Sequence, residues 1–342
     1  MQSHLDPVTA VTHVNPYPYY QALARQTALE WNPSMNLWIA AHPACVRAIL
    51  VHPDCRVRPP HEPVPATIAG PAGNVFGALA RMSDGAPHAA RRAAVDRVLA
   101  TWTDDIVAYH AGKVAAMLLD DGVGTAAQLN AFTLAMPVCT VASLLGFADA
   151  DLPRVAQWTG QFVAGLSPLS TASQVVAAHA ATQALLAALV AVNTPNVAHG
   201  AAGIDAATLQ ANLLGILSQT YDATAGLLGN CIVGLLRGAA PAGLVATTMH
   251  ADPAIQNTRR YAAQDVTIGT ATVGRGQGIL LVLAAARAEY GFGHGIHRCP
   301  GQAIARIIVE QAVARIGALP RVAWRYRPSV NARVPEFIGE QA

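Results

Sequence analysis

Residues 291–306 read GFGHGIHRCPGQAIAR, and no other stretch constrains the chain as much. Positions 291–299 alone hold three glycines, two histidines and a cysteine. Glycines at that density mark a backbone that bends sharply or lies close to something else. Pro300 suits a first helical turn, and Ala303, Ile304, Ala305, Ile307, Ile308 and Val309 continue as a buried helical run. Cys299 is therefore expected where a loop meets a helix N-terminus. Backbone N–H groups and the helix dipole favour a thiolate there. Three readings of the loop stand at this point. Cys299 is inert in a structural turn, or His294, His297 and Cys299 hold zinc, or Cys299 is the axial ligand of a haem iron. Zinc sites usually pair two close ligands with a second, distant pair, and this loop has no C-x-x-C or H-x-x-x-H. A haem iron needs only a lone cysteine and room for a flat macrocycle.

The chain around this loop is rich enough in apolar residues to bury a large core. Of its 342 residues 53% are hydrophobic and 12% charged, which argues against disorder. A net charge of +2 with no basic run gives no support to nucleic-acid binding. Lys113 is the only lysine, and the arginine and alanine usage fits a GC-rich, bacterial genome. The N-terminal stretch has no charged segment followed by an apolar one, so a secretory signal is not expected and the protein is read as cytoplasmic. Residues 175–193 and 211–236 are apolar but interrupted, by His179, Thr182 and Gln183 and by Asn212, Gln219, Asp222 and Asn230. Buried helices of a soluble protein, not membrane spans, are expected there. The five cysteines have no paired spacing and read as reduced thiols, Cys139 and Cys231 as core residues.

The pattern is mainly helical. PYPYYQALARQ opens a short helix, LWIAA is a strand, and HPACVRAILVHP is a helix ended by proline. Residues 53–75, rich in proline and glycine, read as a long surface loop. Helices are expected at about 86–100, 104–120, 126–146, 151–166, 171–192, 206–237 and 300–318. DVTIGTATVGRGQGILLVLA alternates and turns on glycines, as a small hairpin does.

Phe292, Gly293, Gly295, His297, Cys299 and Gly301 fit F-G-x-G-x-H-x-C-x-G, and QAIAR continues the pattern into a helix. This resembles the haem-binding loop of the cytochrome P-450 family. The resemblance implies haem b (iron protoporphyrin IX), with Cys299 the axial ligand of its iron and His297 touching a propionate. It also implies that the glycines let the loop approach the porphyrin and that Phe292 packs near the sulfur. Other stretches are similar in the same order. MSDGAPHAARRAAVDRVL resembles the family's D-x-P-x-H-x-x-x-R segment and gives His88 and Arg92, four apart on one helical face, as propionate partners. NTRRYAAQDVTIGTATVG resembles the strand region in which Arg260 matches a propionate arginine, and RYRPSVNARVPEF the C-terminal strand end. The implied fold is mainly α with small β-sheets, one haem domain over 1–342, with a long central helix at about 206–237 and the cysteine loop and its helix at 291–318.

The departures bear on function. The oxygen-side helix of the family carries A-G-x-(D/E)-T, read here as Gln219, Thr220, Tyr221, Asp222 and Ala223. The acid is kept as Asp222, but the alcohol is Ala223, with Thr224 one step on. One step turns a side chain by about 100°, away from the iron. Gln219 or Thr220 is the candidate to hold water instead. The family's E-x-x-R positions are Thr247 and His250, and the segment that normally follows the hairpin is missing. A slimmer proximal side is expected, which weakens coupling to a ferredoxin-type electron donor. The resemblance implies a monooxygenase of bacterial secondary metabolism acting on a small or medium apolar substrate. Contacts are expected from 56–80, 160–172, Gln219 and 253–257. A peroxide-driven or non-oxidative haem-thiolate enzyme (peroxygenase, isomerase or dehydratase) and a degenerate non-catalytic paralogue are the alternatives.

Overall fold

The structure is a computed structural model and describes residues 5–192, 201–286 and 290–339. Residue 193 of the apolar 175–193 stretch, and 287–289 of the run into the cysteine loop, lie outside the described residues. Eleven α-helices are present among the described residues: α1 Tyr17–Ala24, α2 Pro43–Val51, α3 Pro71–Ala78, α4 Gly85–Ala100, α5 Asp104–Leu118, α6 Ala126–Leu145, α7 Leu152–Leu166, α8 Ala172–Ala191, α9 Ala206–Leu236, α10 Leu244–Ala251 and α11 Gln302–Arg315. Nine strands accompany them: β1 Glu30–Asn32, β2 Leu37–Ala40, β3 Cys55–Arg56, β4 Thr258–Ala262, β5 Val266–Ile268, β6 Ala271–Val273, β7 Gly278–Leu281, β8 Val322–Tyr326 and β9 Pro335–Gly339. The mainly helical reading holds.

Helix α6 is the centre of the core. Every residue from Met136 to Leu145 is buried, as an apolar run with no polar stripe requires. Its ends are closed by chemistry visible in the sequence. The Thr125 side chain accepts from the Gln128 N–H, and Gly146 at φ 101° takes the left-handed cap, donating to Ala142 and Ser143. Helix α9 packs on this core for 31 residues, started by the Asp205 carboxylate, which accepts from the Thr208 N–H at 2.8 Å. Helices α6 and α8 are long and apolar enough to cross a membrane, and most of α6 lies inside the core.

Glycine sets the closest helix contact. A Cβ on Gly165 of α7 would lie 2.3 Å from the Ala178 Cβ of α8 and 2.9 Å from the Gln174 carbonyl oxygen. Gly165→Ala is expected to destabilise the protein by about 1–3 kcal/mol, read as a lower urea midpoint. An unchanged midpoint would mean that the two helices separate freely.

The main sheet has the order β1-β2-β7-β4-β3, with β2 and β7 parallel and the other pairs antiparallel. The expected hairpin is β5–β6, while the strands before and after it join the main sheet. Two sequence expectations are corrected. Residues 53–75 are not one loop: β3, a 3-10 turn at Ala66–Ile68 and the start of α3 lie within it. The last helix starts at Gln302, so Pro300 precedes it, and it ends at Arg315, before Gly317 at φ 65°.

Candidate active site

A cavity of about 810 Å³ lies where α4, α7, α9, the cysteine loop, β4 and the β8–β9 turn converge. The turn is held in place by main-chain bonds. Gln256 N–H donates to Asn331 O at 2.8 Å, and Arg333 N–H to Ala254 O at 2.7 Å. The hairpin behind it is clamped by Asn130, which donates to Phe337 O at 2.8 Å and accepts from its N–H at 2.9 Å.

The cysteine loop is built as its glycines require. Gly293 and Gly295 sit at φ 72° and 68°, a region unfavourable to other residues, and a Cβ on Gly295 would come 3.3 Å from Val51. The Cys299 N–H donates to Phe292 O at 2.8 Å, closing the loop on itself. Cys299 is the one cysteine that is exposed; the other four are buried, Cys139 and Cys231 fully so. It opens onto the cavity, together with Phe292, Gly293 and Gly301. The expectation of a favoured thiolate meets a counterweight. The protein atoms packed around the open face partly desolvate the thiol and push its pKa up, against the opposing Gly301 N–H and the charges of Arg92 and Arg298.

Four of the sequence candidates meet at one end of the cavity. The rings of His88 and His297 are 4.2 Å apart. His88 is buried, and desolvation, then the His297 and Arg92 charges, lower its pKa. Arg92 donates to Ile296 O at 3.1 Å and Arg298 O at 2.8 Å, and pairs with Asp96 at 2.8 Å, tying α4 to the cysteine loop. Arg260, 5% exposed, donates to Arg259 O at 2.9 Å. The His297 Nε2 is a buried atom with no hydrogen-bond partner, and the nearest carboxylate oxygen, on Asp84, is 3.6 Å away. Asp84, the acid of the same D-x-P-x-H-x-x-x-R segment, thus joins the cluster. Burial works to raise its pKa, but the neighbouring His297 and the Val57 N–H outweigh it and leave the pKa lowered.

Across the cavity, the stretch Ser218 to Thr224 of α9 borders the opening. Thr224 is buried, 4% exposed, and its helix turn borders the cavity. Gln219 Nε2 donates to Gly215 O at 3.0 Å and the Thr220 hydroxyl to Ile216 O at 2.8 Å, which uses the one donor of Thr220 and one of the two amide hydrogens of Gln219. Burial raises the pKa of Asp222, and the Arg327 charge opposes the rise. Arg327, which sequence reasoning missed, also stands beside Tyr221, and its Nη1 is buried without a partner. Thr247 and His250 of α10 are exposed, and neither belongs to the cavity. Among the described residues no three His, Cys, Asp or Glu side chains gather as a metal site.

No family model matches the chain. Superposition on solved proteins decides the fold. The haem domain of a Tepidiphilus thermophilus P450 aligns with a TM-score of 0.81 at 15% identity, covering 98% of this chain and 95% of that one. The chain has the cytochrome P450 fold. Ligand-free CYP164A2 of Mycobacterium smegmatis, also a P450, gives a TM-score of 0.70 at 22% identity, covering 97% and 96%. In sequence, cytochrome P450 107B1 of Saccharopolyspora erythraea is 24% identical over 253 residues, 63% of this chain. The match spans 60% of the length of that curated P450. The resemblance read from the cysteine loop thus holds in a sequence relative and in the P450 fold.

Proposed function

We propose that this chain is a haem-thiolate oxygenase acting on a small or medium, largely apolar organic molecule. The observation that carries the reading is the pairing of a cavity-facing Cys299 with a cluster of propionate-type donors, among them His297, whose buried Nε2 makes no hydrogen bond. These residues fit haem: Cys299 would ligate the iron, and His88, Arg92, Arg260 and His297 would meet the two carboxylates. A thiolate-ligated haem supplies an electron-rich iron that favours O–O cleavage. The residues of the chain then have definite tasks. Val163, Leu166, Ile216 and Leu227 present apolar surface and exclude water. Asp222, with its pKa raised by burial, holds a proton at its carboxyl under conditions in which an exposed aspartate has lost it. Arg327 and the Tyr221 hydroxyl are the groups that face it. The arginine-rich, lysine-poor composition and the bacterial sources of the similar P450s support a bacterial setting.

Asp222→Asn is expected to lower turnover about 10²-fold or more while haem content stays unchanged, as removal of a positioned proton donor does. The wild-type rate should fall as pH rises through the raised pKa of Asp222, and the variant should lose that limb. Haem loss in the variant would instead make Asp222 structural.

A peroxide-driven reading has its own support. Ala223 offers no hydroxyl, the Thr220 hydroxyl is bonded to Ile216 O, and Thr247 and His250 stand where the family has an ion pair. Turnover with hydrogen peroxide matching that with a ferredoxin and its reductase would favour this reading. Turnover with the reductase alone would remove it.

A further inference from the structure

Five arginines line the cavity: Arg81, Arg92, Arg260, Arg298 and Arg327. Four of them have oxygen partners or an acid at hand. Arg92 holds Asp96 and two carbonyls, Arg260 a carbonyl, Arg298 the Gln302 amide oxygen at 3.2 Å, and Arg327 faces Asp222. Arg81 has none of these. Its one hydrogen-bonding contact is a weak one to the Met82 sulfur at 3.7 Å, and among the described residues it takes part in no ion pair.

The backbone beneath Arg81 is fixed. Ala80 N–H donates to Asn212 Oδ1 at 2.8 Å, and Asn212 Nδ2 returns a bond to Ala78 O at 3.0 Å. Ser83 Oγ donates to Leu79 O at 2.7 Å, and Leu79 is fully buried. A Cβ on Gly215 of α9 would meet the Leu79 side chain at 2.7 Å, so the segment is pressed onto the helix. The side chain is exposed and lines the cavity, with Arg58 a second cation near it. A planar guanidinium without a counter-charge can take a carboxylate through two parallel hydrogen bonds.

We propose that Arg81 anchors the carboxylate of an amphiphilic substrate, whose apolar body lies along the wall formed by α4, α7 and α9. This rests on the oxygenase reading above and sharpens its substrate class from an apolar molecule to an organic acid with an apolar chain. Haem itself carries two carboxylates, but His88, Arg92, Arg260, His297 and Arg298 already surround the cysteine loop as their donors. Arg81 is left for a third.

The test compares decanoic acid with decan-1-ol at neutral pH, by calorimetric titration of the haem-loaded protein and of the protein as purified. Wild type is expected to bind the acid about tenfold more tightly or better, the scale of a charge-assisted hydrogen bond. Arg81→Gln should bring the two probes within about threefold, with haem content and carbon-monoxide spectrum unchanged, and Arg81→Lys should restore part of the preference. Equal affinity in wild type, or binding of neither probe, overturns the proposal. So does haem loss in Arg81→Gln with the preference intact, which would make Arg81 a propionate donor. A protein that shows the acid preference but takes up no haem would sink the oxygenase reading and leave the anchor standing.

Discussion

Cys299→Ala protein, reduced and exposed to carbon monoxide, is expected to lose the thiolate-type Soret band completely. No other described cysteine can take over. Cys45, Cys55, Cys139 and Cys231 are all buried, and none of them lines the cavity. The loop should survive the change, because its closure depends on main-chain bonds such as Cys299 N–H to Phe292 O at 2.8 Å and on Gly293 and Gly295. Haem retained by the propionate donors would then show the spectrum of an ordinary haem protein. A thiolate band persisting in Cys299→Ala would mean that the ligand had been wrongly assigned.

Arg333→Ala should destabilise the fold by about 3–5 kcal/mol, the usual cost of removing one partner of a buried ion pair. Arg333 is 1% exposed and is the largest fully buried side chain. It pairs with Asp252 at 2.8 Å, donates to the carbonyls of Val11, His13 and Val14, and stacks over Tyr326 at 3.4 Å from the ring centroid. The Tyr17 hydroxyl donates to the same Asp252 carboxylate. One guanidinium thus joins the N-terminal segment, the end of α10 and the C-terminal hairpin. Urea unfolding reads the loss, and Arg333→Lys should recover only part of it, because an ammonium cannot reach three carbonyls and a carboxylate in one plane. A change below about 1 kcal/mol would show that water or neighbouring groups replace these bonds.

Arg333 also shows where the sequence stops being legible. Its partners lie 81 and about 320 positions away, and nothing local in NARVPEF distinguishes it from a surface arginine. Arg327 and Arg81 escaped notice for the same reason: their meaning lies in what faces them across the cavity. Helices α6 and α9, by contrast, were plain in the apolar runs and in Thr125 and Asp205 at their starts. Helix α3 was hidden because Pro71, Gly73 and Gly77 look like loop residues. Pro71 in fact opens the helix, and Gly73 is there because a Cβ would lie 2.4 Å from Ile68 O. At the site, the cysteine loop was legible because its spacing is local. The bonds of Gln219 and Thr220 to the helix backbone needed coordinates.

The account stands or falls on one spectrum. The wild-type chain, produced with a haem supply, is reduced with dithionite and treated with carbon monoxide. A Soret band at the long-wavelength position that gives the P450 family its name is the predicted result, since it reports thiolate on iron. A band at the ordinary haem-protein position, or none, would contradict the assignment of Cys299 and with it the proposed function.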